Sequence, residues 1–206
     1  MTPTEPDGVG ALPDYAIDAE GWCDGARRLP SPNFDPRPPG TAIDLLVIHN
    51  ISLPPGQFGG PHIAGLFTNT LQHELHPYFE QLRPLRVSAH FLILRTGELV
   101  QFVSADARAW HAGVSLFEGR ERCNDFSIGV ELEGSDFVPF EPAQYRCLAA
   151  LTQALLRRYP LVAVTGHEHI APGRKTDPGP FFDWFGYRKC CTAEDQGRAL
   201  SFPNLA

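Results

Sequence analysis

The sequence has no apolar run long enough to cross a bilayer. Its runs are short, such as Ile43 to Ile48, broken by Asp44, where a spanning helix needs about 20 apolar residues. Met1 through Gly8 carries neither a basic segment nor an apolar one, so we expect no secretory leader. A disulfide framework is missing as well. The five cysteines are an odd number, none has CxxC spacing, and the neighbours Cys190 and Cys191 make a poor local disulfide. That usage points to reduced thiols in a cytoplasmic protein, with Cys123 and Cys147 serving as packing. Positive charge is also in deficit. A formal net charge of −7 argues against a sequence-independent nucleic-acid binder, which needs many cationic contacts to phosphate. A few local arginines can still hold a small anionic ligand. No internal repeat and no second domain are visible, and nothing calls for more than a monomer.

What remains is an ordinary globular balance, 43% hydrophobic and 20% charged over 206 residues, enough for one domain around one core. We expect a flexible N-terminal extension over 1–20, a folded domain over 21–190 and a surface tail over 191–206. Ile43 to His49 is nearly continuous in apolar residues, as a strand covered on both faces should be. Similar runs follow at Ser88 to Leu94, Leu99 to Val103, Ser127 to Leu132 and Leu161 to Thr165, with Arg95 to Glu98 as a hairpin turn between two of them. One helix should cover about Pro61 to Thr70. A clearer one starts near Glu141 and Pro142, with Glu141 and Gln144 approximating a capping box. Its Tyr145, Leu148, Thr152, Leu155, Leu156 and Tyr159 form a stripe at three- and four-residue spacing, and Pro160 ends it. The fold class is therefore α/β: a single domain with a central mixed β-sheet flanked by helices.

Three segments carry polar residues that packing alone would not choose: Val47-Ile48-His49-Asn50, Val164-Thr165-Gly166-His167, and the turn-rich loop Arg174 to Pro180 holding Lys175 and Asp177. Two imidazoles and a carboxylate suit a catalytic zinc, which takes three protein ligands and keeps a fourth position for water. This preference alone does not choose among eight histidines and 24 acids. His62, His73 and His76 read as surface residues, and His169 as a decoy beside His167. His90 and His111 can each line a cleft without touching metal.

The choice narrows with a resemblance. Cys23 to Arg28, Val47 to Gly56, Arg86 to His90, Trp110 to Ser115, Gly119 to Gly129, Glu131 to Gly134, Thr165 to His167 and Lys175 to Pro180 together resemble, in order, the AmpD family of amidases. The likeness spans about residues 21 to 188. It implies the fold shared with peptidoglycan-recognition proteins, with a zinc groove at the strand ends, and makes 21–190 an N-acetylmuramoyl-L-alanine amidase domain. It further implies a cytoplasmic enzyme that cleaves the amide between the (anhydro-)N-acetylmuramyl lactyl group and L-Ala of muropeptides in peptidoglycan recycling. The alternative is a muropeptide-binding module without hydrolysis.

Carried over by position, the resemblance implies Zn2+ on His49, His167 and Asp177, with Glu131 and Lys175 catalytic. Glu131 suits a general base and acid, Lys175 an oxyanion partner. Arg86 and Arg122 suit bidentate contacts to peptide carboxylates, and Asn50 suits either sugar contact or support of His49. Glu133 shares a strand face with Glu131 and reads as structural. Two positions depart from the pattern. Ala89 stands where many members of the wider fold have Tyr, and Glu168-His169 is not the sequence expected after His167. A Cys-His hydrolase built on Cys123 lacks a base placed near it.

Overall fold

The computed structural model describes residues 12–192 and 200–203. Among the described residues there are ten strands: β1 (Arg27–Arg28), β2 (Phe34–Asp35), β3 (Leu45–Ile51), β4 (Phe91–Ile93), β5 (Leu99–Gln101), β6 (Arg108–Ala109), β7 (Leu116–Phe117), β8 (Arg120–Glu121), β9 (Ser127–Glu133) and β10 (Ala163–Gly166). Six form the main sheet in the order β1-β5-β4-β9-β3-β10. The pairs β10–β3, β3–β9, β4–β9 and β1–β5 are parallel, and only β4–β5 is antiparallel. The sheet is thus mixed, as expected. Strands β2 and β6 make one small ribbon, β7 and β8 another.

The continuous apolar run of β3 follows from its place between β9 and β10, with layers on both faces. Leu46 and Ile48 join the cluster that holds Leu148, Leu151 and Leu155 of helix α3 (Pro142–Arg158). Leu45 and Val47 face the other way, toward Ala112, Phe126 and Ile170. A two-residue period then puts His49 on the face away from α3. A further cluster on Leu92 and Val100 is covered by helix α1 (His62–Phe67) and by Phe79 of the short helix α2 (Pro77–Glu80).

At the start of α3 the Gln144 side chain accepts the Glu141 amide at 3.0 Å, as a capping box requires, while the Gln144 amide donates to the Glu141 backbone carbonyl at 2.9 Å. Gln144 is fully buried and also donates from Nε2 to the carbonyls of Ile93 (3.1 Å) and Glu133 (3.0 Å). The helix N-terminus is thereby pinned across β4 and β9. The hairpin turn is present too, with Gly97 at φ +86° and its amide on the Leu94 carbonyl.

Several expectations shift. Helix α1 covers six residues rather than ten, because Thr68 turns its hydroxyl back onto the Ala64 carbonyl and Asn69 adopts positive φ. Within the expected extension over 1–20, the chain packs on the domain at Tyr15 and Ile17. Tyr15 rests on the main core with its hydroxyl 3.6 Å from Cys147 Sγ, and Ile17 bridges to Cys23. Residues 1–11 lie outside the described residues. The C-terminal part is not purely surface either. Helix α5 (Trp184–Thr192) buries Trp184, Tyr187 and Cys191 against α3, and Ser201 adds to the edge of β10 through backbone bonds with Val162 and Val164. Residues 193–199 and 204–206 of the expected tail lie outside the description. All five cysteines are free, and only Cys190 is exposed.

Candidate active site

Parallel pairing builds the site. Val47 lies opposite Thr165 and Ile48 opposite Gly166, so β3 and β10 end side by side with His49 next to His167. On the other flank the register sets His49 opposite Glu131 of β9. All three point away from α3.

His167 opens the short helix α4 (His167–Ile170). The loop that follows returns to it: the Glu168 amide donates to the Asp177 carbonyl at 2.8 Å. Close seating of this loop depends on Gly166. A Cβ there would stand 2.7 Å from Pro178 Cδ and 3.0 Å from His169 Nδ1. The loop is tied from a second side by Asn50, whose Nδ2 donates to the Pro178 carbonyl (3.0 Å) and to Asp136 Oδ1 (2.7 Å).

The result is a triangle of donor atoms. His49 Nδ1, His167 Nδ1 and Asp177 Oδ2 stand 3.0 Å from one another. Both imidazoles are buried, and the Asp177 side chain is 14% exposed. The three residues form a group able to hold a metal ion. Ligands on tetrahedral zinc at about 2.0–2.1 Å stand roughly 3.3 Å apart, so the triangle has the right scale. The proton positions agree. His167 Nε2 lies 3.0 Å from the Ala112 carbonyl oxygen, an atom that only accepts, so the ring proton of neutral His167 belongs on Nε2 and its Nδ1 lone pair faces the triangle.

Electrostatics favour a neutral His49 imidazole. Burial pushes His49 down to about 4. Burial opposes ionisation of Asp177, but the two imidazoles beside it outweigh that and hold the carboxyl well below its usual range. Glu131 behaves oppositely: burial, reinforced by the charge of Asp177, raises it well above an ordinary carboxyl. Its Oε2 is buried with no hydrogen-bond partner. An unpaired buried acid is costly, and a proton-transfer group beside a reacting centre is the kind of role that retains one.

These residues line an open groove of about 350 Å³ whose walls include Tyr78, Trp110, His111 and Lys175. Five of the expected site residues, His49, Glu131, His167, Lys175 and Asp177, therefore meet in one groove. Asn50 lines it as well, but its amide is committed to Asp136 and Pro178. That favours support of the loop carrying Asp177 over sugar contact.

The two arginines lie elsewhere. Arg86 is exposed and donates to the carbonyls of Arg83 and Leu85 (3.0 and 2.8 Å); its neighbours Leu85 and Val87 line the groove, and it does not. Arg122 belongs to a second cleft of about 760 Å³, lined also by Arg108, Arg174, Val114 and Ile170. Its side chain is 75% exposed and pairs with Asp125 at 2.9 Å. The two hollows share a wall, since Arg174 lines the second cleft and donates to the same Ala112 carbonyl that receives His167.

The remaining histidines divide cleanly. His169 Nδ1 accepts the Gly166 amide and its ring packs on Trp184, away from the triangle. His90 is a packing residue that accepts the Gly129 amide and lies against the Ala107 carbonyl. His111 is the one that borders the groove, with Nδ1 2.9 Å from His49 Nε2. Glu133 is structural, as expected: its carboxylate accepts the amides of Gly59 and Arg95. Two contributors carry no sequence signal. Arg37, from the Pro-rich stretch, sends its buried guanidinium to four backbone carbonyls, including Asn124 and Ser127 behind the groove. Asp136 anchors Asn50.

Comparison with known proteins agrees with this geometry. A profile of the N-acetylmuramoyl-L-alanine amidase family matches residues 39–180. The 1,6-anhydro-N-acetylmuramyl-L-alanine amidase AmpD of Citrobacter freundii is 61% identical over 175 residues, which is 84% of this chain and 94% of that protein. A crystal structure of a selenomethionine derivative of AmpD superposes with a TM-score of 0.81 at 59% identity, covering 84% of this chain and 98% of that one. The Escherichia coli amidase AmiD, solved with anhydro-N-acetylmuramic acid-L-Ala-D-γ-Glu-L-Lys, gives a TM-score of 0.53 at 30% identity, covering 84% of this chain and 65% of that one. On fold, groove and similarity together, this chain belongs to the N-acetylmuramoyl-L-alanine amidase family.

Proposed function

We propose that the protein is a zinc-dependent amidase that hydrolyses the bond between the lactyl group of (anhydro-)N-acetylmuramic acid and L-Ala of muropeptides, in peptidoglycan recycling. The observation that carries the reading is the convergence of His49, His167 and Asp177 beside the unpartnered carboxyl of Glu131. Zinc held by those three side chains supplies Lewis acidity, polarising the amide carbonyl and lowering the pKa of water.

The rest falls to the chain itself. Glu131 takes a proton from the attacking water as its oxygen bonds to the amide carbon, then delivers it to the departing L-Ala nitrogen as the C–N bond breaks. A raised proton affinity suits both halves of that shuttle. Lys175, on the groove wall, offsets the negative charge that grows on the carbonyl oxygen. The open groove takes the muramyl–peptide junction, against Trp110 and Tyr78. The neighbouring basic cleft gives Arg122 a place to meet carboxylates farther along the stem peptide. Arg86 fills that role only if its guanidinium leaves the two carbonyls it now caps. The muropeptide complex of AmiD supports this class of ligand. A cytoplasmic, monomeric enzyme accompanies the reading through the family resemblance. The binding-only alternative has no observation in its favour, since the His49, His167 and Asp177 group able to hold a metal is complete.

The test is a defined anhydro-muramyl tripeptide incubated with zinc-loaded protein, with products identified by mass spectrometry. Free tripeptide and anhydro-N-acetylmuramic acid are expected, together with loss of bound zinc in Asp177→Ala. Intact substrate under conditions where the protein holds zinc would remove the amidase reading.

A further inference from the structure

For His49 and His167 to present Nδ1 lone pairs to one cation, each ring must carry its single proton on Nε2 and give that proton to an acceptor. For His167 the acceptor is the Ala112 carbonyl, at 3.0 Å. For His49 the atom facing Nε2 is Nδ1 of His111, at 2.9 Å. The two acceptors therefore come from adjacent residues, one through its side chain and the other through its backbone.

That dipeptide is held firmly. The amides of His111 and Ala112 both donate to a single atom, Asn124 Oδ1, at 3.2 and 2.8 Å. The far nitrogen of the His111 ring, Nε2, lies 3.2 Å from Ser127 Oγ. The ring face sits on Gly129, where a Cβ would come within 2.4 Å of the imidazole. Ring position, tilt and backbone are all specified, and no such investment is needed for a histidine that merely fills space.

We propose that His111 is a positioning residue for the metal centre. It accepts the Nε2 proton of His49, fixes that ligand in its Nδ1-coordinating tautomer, and passes the constraint to Ser127 through its own Nε2–H. The inference rests on the zinc reading above and deepens it. Metal-bound histidines commonly lean on a carboxylate; here a neutral imidazole takes the role. It orients the ligand without adding a negative charge directly behind it.

The test uses zinc-loaded protein and three measurements. In wild type, nitrogen-15 spectra of the histidines should show His111 neutral, protonated on Nε2, with Nδ1 accepting. Chelator competition should show zinc affinity lowered about 10- to 100-fold in His111→Ala, the usual range for losing such a partner. His111→Asn, whose amide oxygen can stand near the position of Nδ1, should recover most of that loss. Thermal unfolding of the two variants without metal should match, which a purely structural role would not predict alongside different zinc affinities. Wild-type zinc affinity in His111→Ala, equal losses in the Ala and Asn variants, or a His111 proton on Nδ1 would each overturn the inference. If His111→Ala does not fold, the wild-type spectrum and the Asn variant decide. Failure of the wild-type protein itself to hold zinc in the same titration would instead remove the zinc reading.

Discussion

Replacing Gly166 by Ala isolates how Asp177 is seated beside the two histidines. Gly166 has φ −92° and ψ 156°, a conformation any L-residue adopts, so the change introduces no backbone strain. Its effect is steric. The new methyl would stand 2.7 Å from Pro178 Cδ, 3.0 Å from His169 Nδ1 and 3.2 Å from Trp184 Cζ2. Carbon atoms rest at about 3.5–4.0 Å, so Pro178 must retreat by about 1 Å. Pro178 is bonded directly to Asp177, whose Oδ2 meets both imidazoles at 3.0 Å. Metal–ligand distances tolerate only about 0.2 Å.

The overpacking should cost about 1–3 kcal/mol, less about 0.4–1 kcal/mol returned because Ala has fewer unfolded conformations than Gly. For a chain of this size, a residual loss near 1–2 kcal/mol lowers Tm by about 2–8 °C. Zinc affinity should fall by about tenfold or more. Chelator competition and thermal unfolding of the metal-free protein measure the two effects separately. A Gly166→Ala protein with wild-type Tm and wild-type zinc affinity would refute the packing of the Asp177 loop against the end of β10.

Glu131→Gln should leave zinc binding intact while kcat drops by about 10²- to 10⁴-fold, the share usually carried by a proton-transfer group; retained turnover at unchanged metal content would assign the proton elsewhere. Arg122→Ala should raise KM by about two- to tenfold for stem peptides with free carboxylates and leave kcat nearly unchanged, the mark of lost uniform binding. The effect is modest because this arginine is largely exposed, and it should vanish for substrates whose carboxylates are amidated. Gln144→Ala removes half of the capping box and leaves the Ile93 and Glu133 carbonyls without their buried donor. Denaturant titration should read a loss of about 2–4 kcal/mol, with catalysis in the surviving folded fraction unchanged.

Local signals carried the elements well wherever one physical cause acted alone. The buried run of β3 and the capping box of α3 were both readable, because continuous burial and N-terminal capping leave marks within a few residues. Helix α5 was missed although Trp184, Tyr187 and Cys191 recur at three and four residues: Asp183, Gly186, Arg188 and Lys189 dilute the stripe. The group able to hold a metal is a different matter. His49 and His167 are 118 positions apart and meet only because β10 pairs with β3, so no window of sequence contains the site. The ordered resemblance supplied what periodicity could not. Arg122 and Arg86 suit carboxylates by their chemistry, and the fold puts neither beside the His49–His167–Asp177 triangle. Neither the clamp of Asn124 on the His111–Ala112 dipeptide nor the hub of Arg37 could be read in advance, since each acts through backbone atoms that every residue possesses.

The alternation along β3 has a consequence for how this protein can change. Leu46 and Ile48 face α3, while Leu45, Val47 and His49 face the groove side. Inserting or deleting one residue ahead of His49 would exchange the two sets, driving an imidazole into the hydrocarbon under α3 and presenting isoleucine to the substrate. No gradual route connects the two registers, because each intermediate loses packing and ligation together. Drift in this lineage should therefore proceed by substitution within β3, with length changes confined to the connections beyond its ends.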